Sequence, residues 1–227
     1  MTRSPLDLDR RDFLGVAAGG VSTAALVGGA RAQAADQLRI GLSSEPSSMD
    51  PHFHNLTPNN AVARHIFDCL VHQDHEQKLI PGLATAWRAE SETSWIFELR
   101  RGVTWHDGSP FTADDVIYTV GRVPNVPRSP SSLAGFVAGR TPEKVDDHTI
   151  RFRTRQADPL LPTHMAAVPI IQARLGAGVT TDDFNAGRAA IGTGPYRFVE
   201  FVPGSRIVMQ RNDAYWGGRE PWSRVTM

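Results

Sequence analysis

The segment from Thr93 to Gly108 constrains the fold more than any other part of the sequence. Its apolar side chains alternate with polar ones, so that Trp95, Phe97 and Leu99 share one face of an extended chain. An Arg-Gly pair then predicts a turn, and the alternation resumes in residues 103–105. The pattern predicts a β-hairpin with one aromatic face, which must be buried against other elements.

Two helices are predicted from apolar spacing and capping residues. Apolar residues at helical spacing predict a helix over 58–71, with Thr57 as its N-cap. A second helix should begin after Thr112, where Asp115 completes a capping box, and run to about Arg122.

Alternating segments elsewhere predict further strands. We expect a first strand over residues 38–42, another over 150–154, and a hairpin that joins 196–201 to 206–210. Because the helices are scattered among hairpins, the fold class expected is mixed α/β without regular βαβ winding.

The N-terminus has the parts of a secretory signal. The pair Arg10-Arg11 precedes a weakly apolar run over 13–29, and small residues follow over 30–34. This order is typical of a signal peptide, here 1–34, and the paired arginines favour the twin-arginine export route. A membrane anchor needs about 20 strongly apolar residues, which this run lacks. The mature chain is therefore expected in the periplasm, without a membrane span.

Charge and cysteine content exclude several classes of protein. The 24 basic and 24 acidic side chains balance, which gives no basic surface for nucleic acid. The single cysteine, Cys69, allows no intrachain disulfide, and its place in the predicted helix favours a small buried side chain. Stability must then come from a packed core.

Motifs for catalysis or cofactor binding are absent from the sequence. There is no nucleophile elbow, phosphate-binding loop or zinc-protease motif. The stretch Gly192–Gly194 begins like a dinucleotide loop, but Pro195 and a predicted strand follow instead of a helix. Paired histidines at 72 and 75 could suggest a metal site, although their polar turn favours solvated side chains. We therefore predict no catalytic residue, no metal and no cofactor.

Several motifs, in order along residues 38–227, resemble the extracellular solute-binding proteins of the peptide and nickel ABC importers (family 5, dipeptide/oligopeptide-binding type). The matching segments are Met49–His52, Leu79–Gly82, Leu83–Trp87, Trp95–Gly108, Pro110–Val116, Gly192–Tyr196 and Arg211–Gly218. The resemblance implies a two-lobed clamp of the type II periplasmic-binding-protein class. It places 35–51 and 166–227 in the first lobe and 52–165 in a smaller inserted domain, with the second lobe absent from this sequence.

The resemblance also implies a function and a site. Lobe closure would capture a peptide, which the protein, as a monomer, would deliver to ABC permease subunits with cytoplasmic ATPases. The ligand-binding residues expected by position are His54, Asn55, Leu56 and, in the loop-rich connection, Phe136. Other small ligands, such as glutathione, an opine-like compound or chelated nickel, remain alternatives, as does an inactive fragment. The nickel branch carries aromatic and Met side chains in its first cleft loop, and Leu56 and Ala61 stand near those places here, which disfavours nickel.

Overall fold

The strands form three separate β-sheets. The computed structural model describes residues 36–227, so the predicted signal peptide, with its twin-arginine motif, lies outside the described residues. The strands are β1 (Gln37–Arg39), β2 (Val71–Gln73), β3 (Leu79–Pro81), β4 (Ala84–Ser91), β5 (Ser94–Leu99), β6 (Arg140–Asp146), β7 (Thr149–Thr154), β8 (Tyr196–Val202), β9 (Arg206–Arg211) and β10 (Arg224–Thr226). The two larger sheets have the orders β1-β10-β9-β8 and β4-β5-β7-β6, and β2 pairs with β3.

The aromatic segment forms a hairpin, but with a different partner from the one predicted. Strand β5 pairs with β4 on one side, where Phe97 lies opposite Trp87, and with β7 on the other, where it lies opposite Ile150. The predicted pairing of β5 with residues 103–105 is wrong. After the turn, Trp105 is almost fully buried, and its indole N–H donates to Asp115 at 3.3 Å. The second alternating stretch thus serves burial in the core and not strand pairing.

The sheet β1-β10-β9-β8 joins the two ends of the described chain. Strand β1 pairs in parallel with β10, and β10 pairs antiparallel with β9. The predicted hairpin of β8 and β9 is confirmed, with Phe198 opposite Met209. This sheet therefore depends on a contact between residues that are distant in sequence.

Within residues 36–227, four α-helices accompany the sheets: α1 (Thr57–Ile66), α2 (Ala113–Arg122), α3 (Leu161–Met165) and α4 (Thr181–Asn185). The capping box of α2 is confirmed, since Asp115 accepts the Thr112 backbone N–H at 2.9 Å. Two predictions for α1 are wrong: Leu56 holds the N-cap position, and the helix ends at Ile66.

The early end of α1 follows from competing partners. The Ile66 carbonyl accepts the Gly194 N–H at 2.9 Å, and the Asp68 carbonyl accepts the Ile170 N–H at 2.8 Å. Cys69 is therefore buried as predicted, but in extended backbone bridged to Pro169. Burial raises the pKa of its thiol to about 12.

The part of the chain that the structure describes has two hydrophobic core clusters. The first lies around the sheet β4-β5-β7-β6 and includes Phe97, Trp105 and Phe152. The second lies against the sheet β1-β10-β9-β8 and includes Ile66 of α1 and Phe184 of α4. The mixed α/β class is confirmed by this arrangement, whereas the domain boundaries at 52 and 165 stay a prediction. Among the described helices, none has the length and apolarity needed to cross a membrane.

Candidate ligand-binding site

A buried ion pair anchors the base of the loop that carries the predicted ligand residues. The Asp50 carboxylate accepts two bonds from the Arg122 guanidinium, at 3.0 and 2.6 Å, and one from the Thr181 hydroxyl at 2.8 Å. Burial alone would raise the pKa of Asp50, but the bonds and charge of Arg122 hold it below its usual range. The base of the loop is thus tied to α2 and α4.

His52 adds a second buried anchor to the same loop. Its Nδ1 lies 3.0 Å from an Arg122 nitrogen, and its Nε2 lies 2.7 Å from the Pro169 carbonyl oxygen. Because arginine can only donate, Nδ1 must accept, and Nε2 carries the proton that it donates to the carbonyl. Burial, and then the charge of Arg122, lower the pKa of His52 to about 4. The imidazole is therefore neutral at pH 7.

Three of the predicted ligand residues come together at the exposed end of this loop. The Asn55 N–H donates to the Ser131 carbonyl at 2.8 Å, and His54 forms a parallel bridge to the same residue. The Asn55 side-chain oxygen accepts a bond from Asn60 at 2.9 Å. Leu56 remains 42% exposed. A rigid loop thus presents a solvent-exposed apolar side chain.

Phe136, the fourth predicted residue, lies in a short 3-10 turn and packs on the first cluster. Its ring centroid is 5.8 Å from that of His164. The structure places His54, Asn55 and Leu56 side by side, whereas Phe136 packs against the first cluster beside His164. The role of all four residues in ligand binding stays a prediction.

Sequence reasoning missed the residues that hold the loop. Arg122 and Thr181 lie about 70 and 130 positions from Asp50 in sequence, so no local sequence pattern predicts that they contact it. The one available signal was the Asp50-Pro51-His52 stretch, which carried part of the family resemblance.

The Gly192–Gly194 loop packs against the end of α1. A Cβ on Gly192 would lie inside the contact radius of the Ile66 carbonyl oxygen, so only glycine fits there. His106 clamps the loop: its Nδ1 accepts the Gly192 N–H at 3.1 Å, and its Nε2 donates to the Gly194 carbonyl at 3.0 Å. Burial is the main cause that lowers the pKa of His106 to about 4.

Asp68 binds the aromatic motif around Trp216 at the same junction. Its carboxylate accepts bonds from the Thr193 hydroxyl and from the Trp216 indole N–H, each at 2.9 Å. The Arg100 guanidinium lies 4.1 Å from the centre of the Trp216 ring, in a cation–π contact. These residues therefore hold the junction of the two clusters and have a structural role.

The histidines considered for metal binding have other surroundings. His72 lies 3.4 Å from Asp68, and His75 is exposed in the turn between β2 and β3. Within residues 36–227, no three His, Cys, Asp or Glu side chains are grouped so that they could hold a metal ion. Asp107, next to His106 in sequence, accepts bonds from Ser109 within its own turn.

Solved structures that share this fold place it in the type II periplasmic-binding-protein class. The model of the bacterial extracellular solute-binding proteins, family 5 (middle region), matches residues 78–227. The chain belongs to this family, whose members are binding proteins rather than enzymes.

Relatives with known names support the assignment. The chain is 30% identical over 196 residues to the periplasmic murein peptide-binding protein MppA of Escherichia coli, an alignment of 77% of this chain and 36% of that protein. It is 28% identical over 194 residues to the periplasmic oligopeptide-binding protein OppA of Salmonella typhimurium, with 76% and 35% covered. The chain thus spans about a third of the length of these relatives.

Solved structures show the same fold. The murein tripeptide binding protein MppA of Escherichia coli superposes with a TM-score of 0.75 at 27% identity, covering 84% of this chain and 41% of that one. The ABC transporter substrate binding protein CtaP of Listeria monocytogenes gives a TM-score of 0.72 at 26% identity, with 84% and 39% covered.

Proposed function

We propose that this chain belongs to the peptide-binding component of a bacterial ABC importer and acts in the periplasm. Relatives named for murein peptides, oligopeptides and dipeptides support a peptide ligand. The observation that carries the proposal for this chain is the loop at residues 54–56, which buried bonds hold in place while Leu56 stays exposed.

The arrangement suits binding by closure of two lobes. Asp50, His52 and Arg122 fix the loop before a ligand arrives, so little ordering entropy is lost on binding. The Asn55 carbonyl would accept a bond from the peptide backbone, since the N–H groups of Asn55 and Leu56 and the Leu56 carbonyl already have partners. Phe136 would border the site from the inserted domain, 52–165. The permease would then recognise the closed state. In this proposal residues 1–34 direct export by the twin-arginine route.

A thermal-shift and calorimetric screen of the full-length protein with both lobes tests the proposal. The ligands are Ala-Ala, Ala-Ala-Ala, glutathione and Ni²⁺ with L-histidine. Peptide binding at a hundred times the dissociation constant should stabilise the fold by about 2.7 kcal/mol. Binding of glutathione or nickel-histidine alone would replace the peptide proposal by one of the alternatives, and hydrolysis of a peptide would refute a binding role.

Two matched variants test the loop. Leu56→Ser should weaken peptide binding about tenfold, because the exposed leucine would be buried by the bound peptide and that apolar contact is lost. Val199→Ser is the control, since Val199 is 43% exposed, nearly the same as Leu56, but lies on β8. Equal affinities of the two variants would remove residues 54–56 from the site.

A further inference from the structure

The Arg140 guanidinium, at the start of β6, connects three segments of the chain. Its Nε donates to the Asp158 carboxylate at 2.7 Å, and Nη1 donates to the Gly135 and Ala138 carbonyls, each at 3.2 Å. The other terminal nitrogen, Nη2, lies 2.6 Å from Nδ1 of His164 on α3. The side chains of Arg140 and Asp158 are only 10% and 14% exposed, so water competes little for these bonds.

The tautomer of His164 follows from its contact with Arg140. Arginine can only donate, so Nδ1 of His164 must accept, and the neutral ring then carries its proton on Nε2. Protonation of Nδ1 would place two donors face to face and would put a second positive charge beside Arg140. Burial, and then the charge of Arg140, lower the pKa of His164, whereas Asp158 raises it. The contact with Arg140 therefore exists only while the ring is neutral.

The surroundings of His164 offer a different partner to the charged ring. Among residues 36–227, the charged groups beside this imidazole are Arg140 of β6 and Asp158 of the loop before α3. Strand β2 also packs against α3, but its titratable side chain, His72, contacts a different carboxylate. The Phe136 ring, 5.8 Å away, carries no charge. Oδ1 of Asp158 lies 4.0 Å from Nδ1, so a small rotation would let it accept the proton of the charged ring.

The segment that Arg140 holds is the turn at residues 134–138, which carries Phe136. The backbone bonds of this turn are short-range, since the N–H groups of Phe136 and Ala138 donate to the carbonyls at 133 and 134, each at 2.9 Å. A single turn of 3-10 type has poor bond geometry and little stability of its own. The bonds from Arg140 link the turn to the sheet β4-β5-β7-β6. Displacing Arg140 should therefore loosen the turn and the Phe136 ring.

We propose that Arg140, Asp158 and His164 form a pH-sensitive latch. At neutral pH the latch is closed, and Arg140 holds the turn at residues 134–138 close to α3. At acidic pH the charged His164 ring takes Asp158 as its partner, repels Arg140 and releases the turn with Phe136. The latch needs no ligand, so it goes beyond the proposed function and does not depend on it.

Amide hydrogen exchange of the full-length protein, measured from pH 7 to pH 5 and corrected for the intrinsic effect of pH, tests the latch. The pKa of His164 is measured separately from its ring resonances by NMR. In the wild type, protection of the amides at 136–138 should fall about tenfold across the titration of His164, because a charge-assisted bond is lost. Amides of β5, in the same sheet, should keep their protection.

Three variants separate the latch from a general effect of acid. His164→Gln keeps an acceptor for Arg140 but cannot titrate, so protection of the turn should no longer depend on pH. Asp158→Asn removes the carboxylate that raises the pKa of His164, so the loss of protection should move to lower pH. His75→Gln is the control, because His75 is exposed in the β2–β3 turn, and it should behave as the wild type.

The latch is supported if protection of the turn is lost at the pKa of His164 and if this loss disappears in His164→Gln. Equal pH dependence in the wild type and in His164→Gln would overturn it. A wild-type midpoint that differs from the pKa of His164 would overturn it as well, and that comparison needs no variant to fold. Because no peptide is added, neither result bears on the proposed function.

Discussion

The folded protein should lose stability as the pH falls from about 6.5 to about 4, because His106 is buried in its neutral form. The neutral ring uses both nitrogens: Nδ1 accepts the Gly192 N–H and Nε2 donates to the Gly194 carbonyl. Protonation of Nδ1 would place two donors face to face and charge a buried ring. The pKa of His106 is therefore about 4 in the folded protein, against about 6.5 in the unfolded chain.

The sign and size of the effect follow from proton linkage. Since the folded pKa lies below the unfolded one, the stabilisation is fully present above about pH 6.5 and is lost as the pH falls towards 4. Because of His106 alone, the free energy of unfolding should be about 3 kcal/mol lower at pH 4 than at pH 7. His52 has the same shift and should contribute a similar loss. The carboxylates with lowered pKa titrate mostly below this window.

The assay is the urea midpoint of unfolding between pH 7 and pH 4 for three proteins. His106→Gln should lower stability at pH 7 and should also flatten the pH dependence, because one proton-binding group is removed. His75→Gln is the control, since His75 is exposed in a turn. The remaining pH dependence of His106→Gln should reflect His52 and His164, because burial also lowers their pKa values. If wild type and His106→Gln show the same slope between pH 6.5 and 4, the assigned tautomer and burial of His106 are refuted.

Three further predictions concern packing and buried charge. Gly192→Ala should prevent stable folding, because its Cβ would clash with the Ile66 carbonyl oxygen. Gly121→Ala is the matched change in α2, where open space surrounds the glycine. It should raise the free energy of unfolding, measured by thermal unfolding, by up to about 1 kcal/mol. Arg122→Met should lower the free energy of unfolding by about 3–5 kcal/mol, because it leaves the Asp50 carboxylate buried without its partner. In urea unfolding, adding Asp50→Asn should restore part of that stability. A double variant no more stable than Arg122→Met alone would contradict this account. Cys69 should resist alkylation at pH 8 in the folded protein and react only in urea, because burial raises the pKa of its thiol to about 12. Fast labelling of the folded protein would show that the thiol is accessible and would contradict this prediction.

Local patterns predicted the elements whose partners are close in sequence. The capping box at Thr112 and the hairpin of β8 and β9 were confirmed because both depend on residues a few positions apart. The aromatic alternation correctly predicted the strand β5, and the burial of Trp105 agrees with it.

Predictions failed where distant residues decide the structure. Helix α1 stops at Ile66 because Gly194 and Ile170 compete for the backbone that would continue it, and both lie more than a hundred positions away. The pairing of β5 with β4 is a local failure, since only two residues separate these strands. Because β4 is mostly exposed, its sequence lacks the strong apolar alternation that marks β5. For the candidate site, the exposed loop was predicted, but its buried supports Arg122 and Thr181 were not, since a single sequence carries no signal for long-range ion pairs.

The pairing of β1 with β10 has a consequence for how the chain folds. The Ser223 N–H donates to Asp36, 187 positions away in sequence, so this contact closes a loop of nearly the whole described chain. The entropy lost in closing a loop grows with its length, and contacts of such range form late. The β8–β9 hairpin, with a three-residue turn, can form early and offer its free edge to β10. During synthesis, this sheet must therefore wait for the residues of β10 to leave the ribosome, and until then β1 has no partner in it.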